Sequence, residues 1–165
     1  MGVSGSGKTT VAVALARRLG WLFKDGDDFH SPHDIEKMHA GHPLDDNDRL
    51  PWLQAIASEI ERQRRERKPV VIACSALKRA YRDMLVAGHD DVRIVYLKGG
   101  HDVIATRLAK RKDHFMPPEL LDSQFDTLEE PGEDERPIVV GVDAPVDKIV
   151  DRIVEQLHRE MGITP

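Results

Sequence analysis

The chain opens with residues whose types and spacing are typical of a phosphate-binding loop. Gly2-Val3-Ser4-Gly5-Ser6-Gly7-Lys8-Thr9 matches the pattern G-x-x-x-x-G-K-S/T at every fixed position. Glycines permit positive φ angles and a close approach of the backbone, so that N–H groups can converge on phosphate oxygens. In such loops the lysine reaches the β- and γ-phosphates, and the hydroxyl of the last residue binds Mg²⁺. We therefore predict that Gly2 to Thr10 bind a nucleotide, that Thr9 binds its Mg²⁺, and that Lys8 takes part in catalysis.

An acidic turn follows the first predicted strand. Asp25-Gly26-Asp27-Asp28 comes directly after the short predicted strand 21–24, and ligands of parallel sheets bind beyond the carboxyl ends of the strands. Carboxylates at this place could hold Mg²⁺ through water or accept the proton of a substrate hydroxyl. Asp27 is the leading candidate for the catalytic base and Asp25 is the alternative; both are candidate metal ligands, and His30 is a candidate substrate contact. The competing interpretation is an ordinary acidic turn, since Asp and Gly are frequent turn residues.

Three cations in the middle of the chain are candidates for binding an anionic substrate. Lys78 and Arg82 are one helical turn apart and can face the same ligand. Together with Arg49 they could hold an anionic group such as a carboxylate. The competing interpretation is that each is an ordinary surface charge.

A second cationic segment predicts a lid. Arg107 and Arg111 are also one helical turn apart, and His114 follows them before Pro117-Pro118. Phosphoryl transfer needs an arginine-like charge near the transferring group and the exclusion of water. We therefore predict that 111–127 close over the phosphates, that Arg107 and Arg111 bind the nucleotide with Arg111 also catalytic, and that His114 contacts substrate. The alternative is the enrichment in cations that any helix C-terminus favours.

Length and composition limit the classes of protein that fit. The chain has 165 residues, a net charge of −5 and 40% hydrophobic residues, which predicts a single domain over 1–165. No long basic block is present, so we expect no nucleic-acid partner. No run of 18 or more apolar residues is present, so we expect no membrane span. The single Cys74 excludes an internal disulfide and favours a reducing compartment, the cytoplasm.

Helical and extended segments alternate along the chain and predict an α/β fold. The predicted helices are 8–19, 32–40, one from about Asp48, 78–86, 102–112, one restarting at 119, and 146–161; the predicted strands are 21–24, 70–74, 92–97 and 138–142. This order predicts a parallel sheet with helices on both faces, a three-layer sandwich. The strand at 70–74 ends without an aspartate, which argues against a motor protein or helicase.

The position of the phosphate-binding loop leads to one further hypothesis. Such a loop normally joins a strand to a helix, but only Met1 and Gly2 precede the turn. We therefore expect the first, central strand to be missing or truncated, and Met1 to be an internal methionine of a longer protein. A chain extended by about ten upstream residues, a strand with a short lead-in, is expected to be more stable.

Taken together, these residues resemble the gluconokinases of the small P-loop type, relatives of shikimate kinase and the nucleoside-monophosphate kinases. The resemblance covers essentially the whole chain, and Cys74-Ser75-Ala76-Leu77-Lys78 followed by Tyr81-Arg82-Asp83 is its most distinctive part. The other segments that carry it are Gly2 to Thr9, Asp25-Gly26-Asp27 with His30, 35–38, 43–49 with 51–53, 96–99, 114–116, 123–125 and 128–129.

The resemblance implies a substrate that spacing could not supply. Members of this family transfer the γ-phosphate of ATP, with Mg²⁺, to the 6-hydroxyl of D-gluconate, and they are commonly homodimers. This substrate fits the candidate residues named above, because gluconate has a carboxylate for Arg49, Lys78 or Arg82 and hydroxyls for Asp27 and His30. Three alternatives remain open: a kinase of another small hydroxy acid such as shikimate, a nucleotide-binding module without an acceptor substrate, and an inactive fragment.

Overall fold

The computed structural model describes residues 1–111 and 118–164. The helices are α1 (Lys8–Leu19), α2 (Pro32–His39), α3 (Asp46–Glu66), α4 (Arg79–Val86), α5 (His101–Ala109), α6 (Pro118–Thr127) and α7 (Val146–Met161). The strands are β1 (Leu22–Asp25), β2 (Val70–Ala73), β3 (Val95–Lys98) and β4 (Ile138–Gly141), with 3-10 turns at Gly26–Phe29 and Glu133–Glu135. None of the helices in the described ranges is both long and apolar enough to cross a membrane.

The start of α3 shows how local chemistry sets a helix boundary. The carboxylate of Asp45 accepts the N–H of Asp48 at 2.8 Å, and the carboxylate of Asp48 accepts the N–H of Asp45 at 2.9 Å. This capping box satisfies two free donors at the helix end. The predicted start near Asp48 is therefore corrected, since Asp45 is the N-cap. Pro51 consequently lies in the second turn rather than the first, where it removes the hydrogen bond to the carbonyl of Asn47 without ending the helix.

The strands form two parallel pairs. β1 pairs with β2, with Leu22 opposite Val70, and β3 pairs with β4, with Val95 opposite Ile138. A parallel pair needs a crossover connection, and the helices between the strands of each pair supply it. The predicted parallel pairing is confirmed, with the site loops at the carboxyl ends of the strands.

The start of the chain lies between the two pairs. The N–H of Leu97 donates to the carbonyl of Met1 at 3.0 Å, and the N–H of Gly2 donates to the carbonyl of Ser75 at 3.2 Å. Behind these residues, a cavity of about 540 Å³ is lined mainly by side chains of α1, α3, α7 and both strand pairs. The gap agrees with the prediction that the central strand of the sheet is missing or truncated.

Apolar side chains form two clusters. One joins α1, α5 and α7 with β3 and β4, and it includes Ile104, Ile138 and Ile153, which are fully buried. The other joins α3 and α4 with the residues after β2, and it includes Trp52 and Leu53. Burying one such side chain contributes about 1.5–3 kcal/mol. The predicted α/β arrangement, with helices covering parallel strands on both faces, is thus confirmed.

Candidate active site

The loop before α1 forms a cradle that fits an anion. Gly7 has a φ of 92°, in the left-handed region that favours glycine. The N–H of Ser6 donates to the carbonyl of Val3 at 3.2 Å and curls the loop. The hydroxyl of Ser6 is buried, and no hydrogen-bond partner for it is found in the described part of the chain. The first N–H groups of a helix lack partners within the helix and carry partial positive charge, so this segment suits phosphate oxygens.

Lys8 brings its charge over the cradle. Its Nζ donates to the carbonyl of Val3 at 3.1 Å. Burial lowers the pKa of Lys8; the carboxylates of Asp27 and Asp25 oppose this decrease, and Arg111 adds to it. The charges of Asp25, Asp27 and Arg111 therefore act on Lys8, as charges in one partly buried region do. The roles predicted for these four residues stay predictions.

The two carboxylates of the acidic turn have different surroundings. Oδ2 of Asp25 accepts the hydroxyl of Thr9 at 3.5 Å, and Oδ1 accepts the N–H of Asp27 at 3.0 Å. Thr9 and Asp25 thus form an adjacent pair of oxygen donors, the type of ligand that Mg²⁺ prefers. Asp27 is exposed beyond this pair. Its role toward the acceptor hydroxyl stays a prediction.

Trp52 of α3 holds the acidic turn from behind. Its Nε1 donates to the carbonyl of Gly26 at 2.7 Å. A Cβ on Gly26 would lie 2.6 Å from the carbonyl oxygen of Ala73, so only glycine lets the turn pack against the end of β2. The ring of His30 stacks on the indole, with centroids 4.5 Å apart, and its Nδ1 lies 3.7 Å from the buried carboxylate of Asp34. Since 8% of the His30 side chain is exposed, its contact with substrate stays a prediction.

Arg82, predicted to contact substrate, takes a structural position instead. Its Nε and Nη2 donate to the two carboxylate oxygens of Glu135 at 2.7 and 3.2 Å. Its Nη1 donates to the carbonyls of Ala76 and Leu77 at 3.0 and 3.1 Å. With 1% of its side chain exposed, the guanidinium cannot reach a ligand without breaking a buried ion pair. Helical spacing missed this because Glu135 lies 53 residues further along the chain.

The other two predicted substrate cations do come together. Nζ of Lys78 lies 5.7 Å from the ring centroid of Tyr81, and Cζ of Arg49 lies 6.0 Å from it. Nζ of Lys78 also contacts both carboxylate oxygens of Asp46, at 3.0 and 3.1 Å. Sequence reasoning missed Asp46 and Tyr81 as site residues. The i, i+3 spacing of Lys78 and Tyr81 was the available signal.

The predicted lid lies partly outside the described residues. Residues 112–117, and with them His114, belong to that part, so the roles assigned there stay predictions. Arg111 is exposed just before it. Arg107 donates through Nη2 to the carbonyl of Val142, directly after β4. Arg107 thus lies at the carboxyl end of β4, and the contact of both arginines with nucleotide stays a prediction.

Helix α6 touches the phosphate-binding loop directly. Oε1 of Gln124 accepts the N–H of Ser4 at 2.6 Å, and its Nε2 donates to the hydroxyl of Ser4 at 3.0 Å. His101 of α5 contacts the carboxylate of Asp122 at 2.5 Å, which holds the same helix from another side. Gln124 is a site residue that the sequence did not reveal, because 120 positions separate it from its partner.

The sequence is similar to proteins of one enzymatic class. The family model described as "AAA domain" matches residues 1–131. The thermoresistant gluconokinase of Escherichia coli (strain K12) is 46% identical over 160 residues, which cover 96% of this chain and 91% of that protein.

The three-dimensional structure gives the same result. A crystal structure of a gluconokinase from Sinorhizobium meliloti 1021 superposes with a TM-score of 0.87 at 44% identity, covering 96% of this chain and 89% of that one. A shikimate kinase from Bacteroides thetaiotaomicron superposes with a TM-score of 0.67 at 20% identity, covering 96% of both chains. At that identity the second likeness shows a shared fold alone.

Proposed function

Because the chain belongs to the gluconokinase family, we propose that it transfers the γ-phosphate of ATP to the 6-hydroxyl of D-gluconate, giving 6-phospho-D-gluconate. One observation carries this proposal within the structure. An open anion cradle is surrounded by a lysine and two carboxylates, the set of charges that phosphoryl transfer uses. The cradle binds the phosphates, the acidic turn receives the acceptor hydroxyl, and the reacting groups are held in line between them.

Each residue of the site has a distinct part in the proposed reaction. Lys8 offsets negative charge on the β- and γ-phosphates, and its partial burial strengthens that interaction. Thr9 and Asp25 would hold Mg²⁺, which neutralises developing charge on the phosphate oxygens when bound. Asp27 orients the 6-hydroxyl and accepts its proton. Arg111 supplies further positive charge at the mouth of the cradle.

We also propose a setting for this activity. The family resemblance supports a homodimer, and the single free thiol, buried Cys74, suits a reducing compartment such as the cytoplasm. D-gluconate is the proposed small-molecule partner.

The direct test is ATP consumption with and without D-gluconate, in the wild type and in Lys8→Ala. We expect gluconate-dependent turnover in the wild type and a loss of at least about 100-fold in the variant. Lys148→Ala, a change at an exposed lysine on α7, is the matched control and is expected to retain wild-type turnover. Shikimate in place of gluconate tests the nearest alternative enzyme. A slow ATP hydrolysis that no acid accelerates would contradict the proposal and favour a nucleotide-binding module.

A further inference from the structure

A cluster of four side chains lies apart from the phosphate-binding loop and is not explained by nucleotide binding. It consists of Asp46, Arg49, Lys78 and Tyr81, and we call it the α3–α4 cluster. The carboxylate of Asp46 accepts hydrogen bonds from Nζ of Lys78 at 3.0 and 3.1 Å and from the hydroxyl of Tyr81. Nε of Arg49 donates to the carbonyl of Leu44 at 3.3 Å, which leaves its Cζ end beside the tyrosine ring.

The charges of this cluster do not cancel. Two cations, Arg49 and Lys78, face a single carboxylate, that of Asp46. Hydrogen bonding to Asp46 raises the pKa of Lys78, and hydrogen bonding to Tyr81 and Lys78 lowers the pKa of Asp46, so all three charges are present at neutral pH. The excess of positive charge makes the cluster attractive to an anion.

The geometry of the donors matches a two-oxygen anion. Lys78 contacts both oxygens of one carboxylate, and the hydroxyl of Tyr81 contacts one of the same oxygens. Tyr81 is buried, with 7% of its surface exposed, so its hydroxyl is held in place. The side chain of Asp46, by contrast, is 66% exposed. An exposed ion pair contributes little to stability, and Asp46 can therefore leave these donors at small cost.

The cluster is connected to the reaction site by short paths through the chain. The N–H of Gly2, which begins the phosphate-binding loop, donates to Ser75, three residues before Lys78. Trp52, six residues after Asp46 in α3, donates to the acidic turn at Gly26. In gluconate the carboxylate and the 6-hydroxyl lie at opposite ends of the molecule. A subsite for the carboxylate should therefore lie on elements other than the acidic turn. The α3–α4 cluster meets this condition, and α3 also contacts the acidic turn through Trp52.

We infer that the α3–α4 cluster binds the carboxylate of the sugar acid, and that Asp46 occupies this subsite until the substrate displaces it. This inference rests on the proposed function and names the side chain that competes with its substrate. Asp46 and the acid would exchange as one carboxylate for another, with Lys78 and Tyr81 as common donors. A neutral polyol lacks the charge to displace Asp46, so the cluster would select acids over sugars and sugar alcohols.

The test is a calorimetric titration with Mg²⁺ and ADP present, in which D-gluconate is compared with D-glucitol, its neutral counterpart. Wild type should bind gluconate at least about tenfold more tightly than glucitol, since a hydrogen-bonded charge pair contributes more than a neutral contact. Lys78→Met should lower the affinity for gluconate about 10- to 100-fold and leave the affinity for glucitol unchanged. Asp46→Asn should raise the affinity for gluconate about two- to fivefold, because it removes the carboxylate that competes with the substrate.

Matched controls and contrary outcomes make the test decisive. Lys148→Met and Asp90→Asn make the same charge changes at exposed positions and should leave both affinities within twofold of wild type. If Asp46→Asn lowers the affinity for gluconate, Asp46 contacts the substrate and the inference is wrong. Equal binding of gluconate and glucitol by wild type, or no binding of either, would also overturn it. Selective gluconate binding without any turnover would contradict the proposed function but would support the inferred carboxylate subsite.

Discussion

At the scale of single residues, the acidic turn assigns different tasks to two carboxylates that are close in sequence. Asp25 caps the 3-10 turn through the N–H of Asp27 and accepts the hydroxyl of Thr9, so both of its oxygens are engaged. Asp27 is exposed, and it has the larger effect of the two on the pKa of Lys8. These surroundings favour Asp25 as the metal-side ligand and Asp27 as the group that meets the acceptor hydroxyl.

Two isosteric variants separate these tasks. Asp27→Asn should lower kcat by about 10²- to 10⁴-fold with little change in the KM of ATP, because an amide cannot accept the proton. Asp25→Asn should instead raise the Mg²⁺ concentration needed for half-maximal turnover, since it weakens a metal ligand. Steady-state kinetics over a magnesium titration measure both effects, with Asp28→Asn in the same turn as the control. The reverse pattern would identify Asp25 as the base.

At the scale of elements, α6 is the helix that reaches the phosphate-binding loop from the far end of the chain. The side-chain amide of Gln124 makes two hydrogen bonds with Ser4, and His101 holds the helix through Asp122. The N–H of Ser4 belongs to the loop that is expected to face phosphate. The position of α6 therefore affects how well the loop is arranged for the nucleotide.

Removing the amide of Gln124 should affect catalysis more than folding. Gln124→Ala loses two hydrogen bonds that contribute about 1–3 kcal/mol together. A loss of this size in the transition state lowers kcat/KM for ATP by about 5- to 150-fold. Asp126→Asn, at an exposed position of the same helix, should have no such effect. Initial rates at varied ATP provide the measurement. An increase in activity would show that Gln124 competes with phosphate for the N–H of Ser4.

The elements also show what the sequence could and could not predict. Helix 8–19 was predicted with the bounds it has, because glycines flank an apolar periodic run. The strand predicted at 92–97 lies at 95–98. Its bounds are set by its pairing with β4, which the local hydrophobic pattern does not record. The residues of the phosphate-binding loop are contiguous in sequence, so the loop could be predicted from the sequence alone. Gln124 and Asp46 act through contacts over 120 and 35 positions, which no local pattern records.

At the scale of the whole molecule, the two strand pairs need connections other than a shared sheet. Arg82 lies in α4, which follows β2, and Glu135 lies in the 3-10 turn before β4. Their bidentate pair, at 2.7 and 3.2 Å, therefore joins the β1–β2 half to the β3–β4 half. Around it, the N–H of Glu129 donates to the carbonyl of Leu77 at 2.8 Å, along the same boundary. The pair has a structural task that explains its burial.

Breaking this pair should cost stability without affecting substrate binding. Arg82→Met leaves the buried carboxylate of Glu135 without its partner, which costs about 3–5 kcal/mol and lowers Tm by about 6–20 °C for a chain of this size. The KM for gluconate should stay within twofold of wild type. Arg18→Met, which breaks an exposed pair with Asp151, should change Tm little. A raised KM with an unchanged Tm would restore Arg82 as a substrate contact.

The pH dependence of the same variant provides an independent check. Hydrogen bonding to Arg82 lowers the pKa of Glu135 in the folded protein. The stability from this pair is therefore fully present above the unfolded pKa of a glutamate, about 4.3, and is lost as pH falls through the lower folded value. Burial raises the pKa of an unpaired carboxyl, so Glu135 in Arg82→Met takes up its proton at a higher pH than in the wild type. The difference in unfolding free energy between wild type and Arg82→Met should therefore be largest near pH 8 and shrink as pH falls. Urea unfolding at a series of pH values measures this difference. A difference of the same size at low pH would show that packing, rather than the charge pair, joins the β1–β2 half to the β3–β4 half.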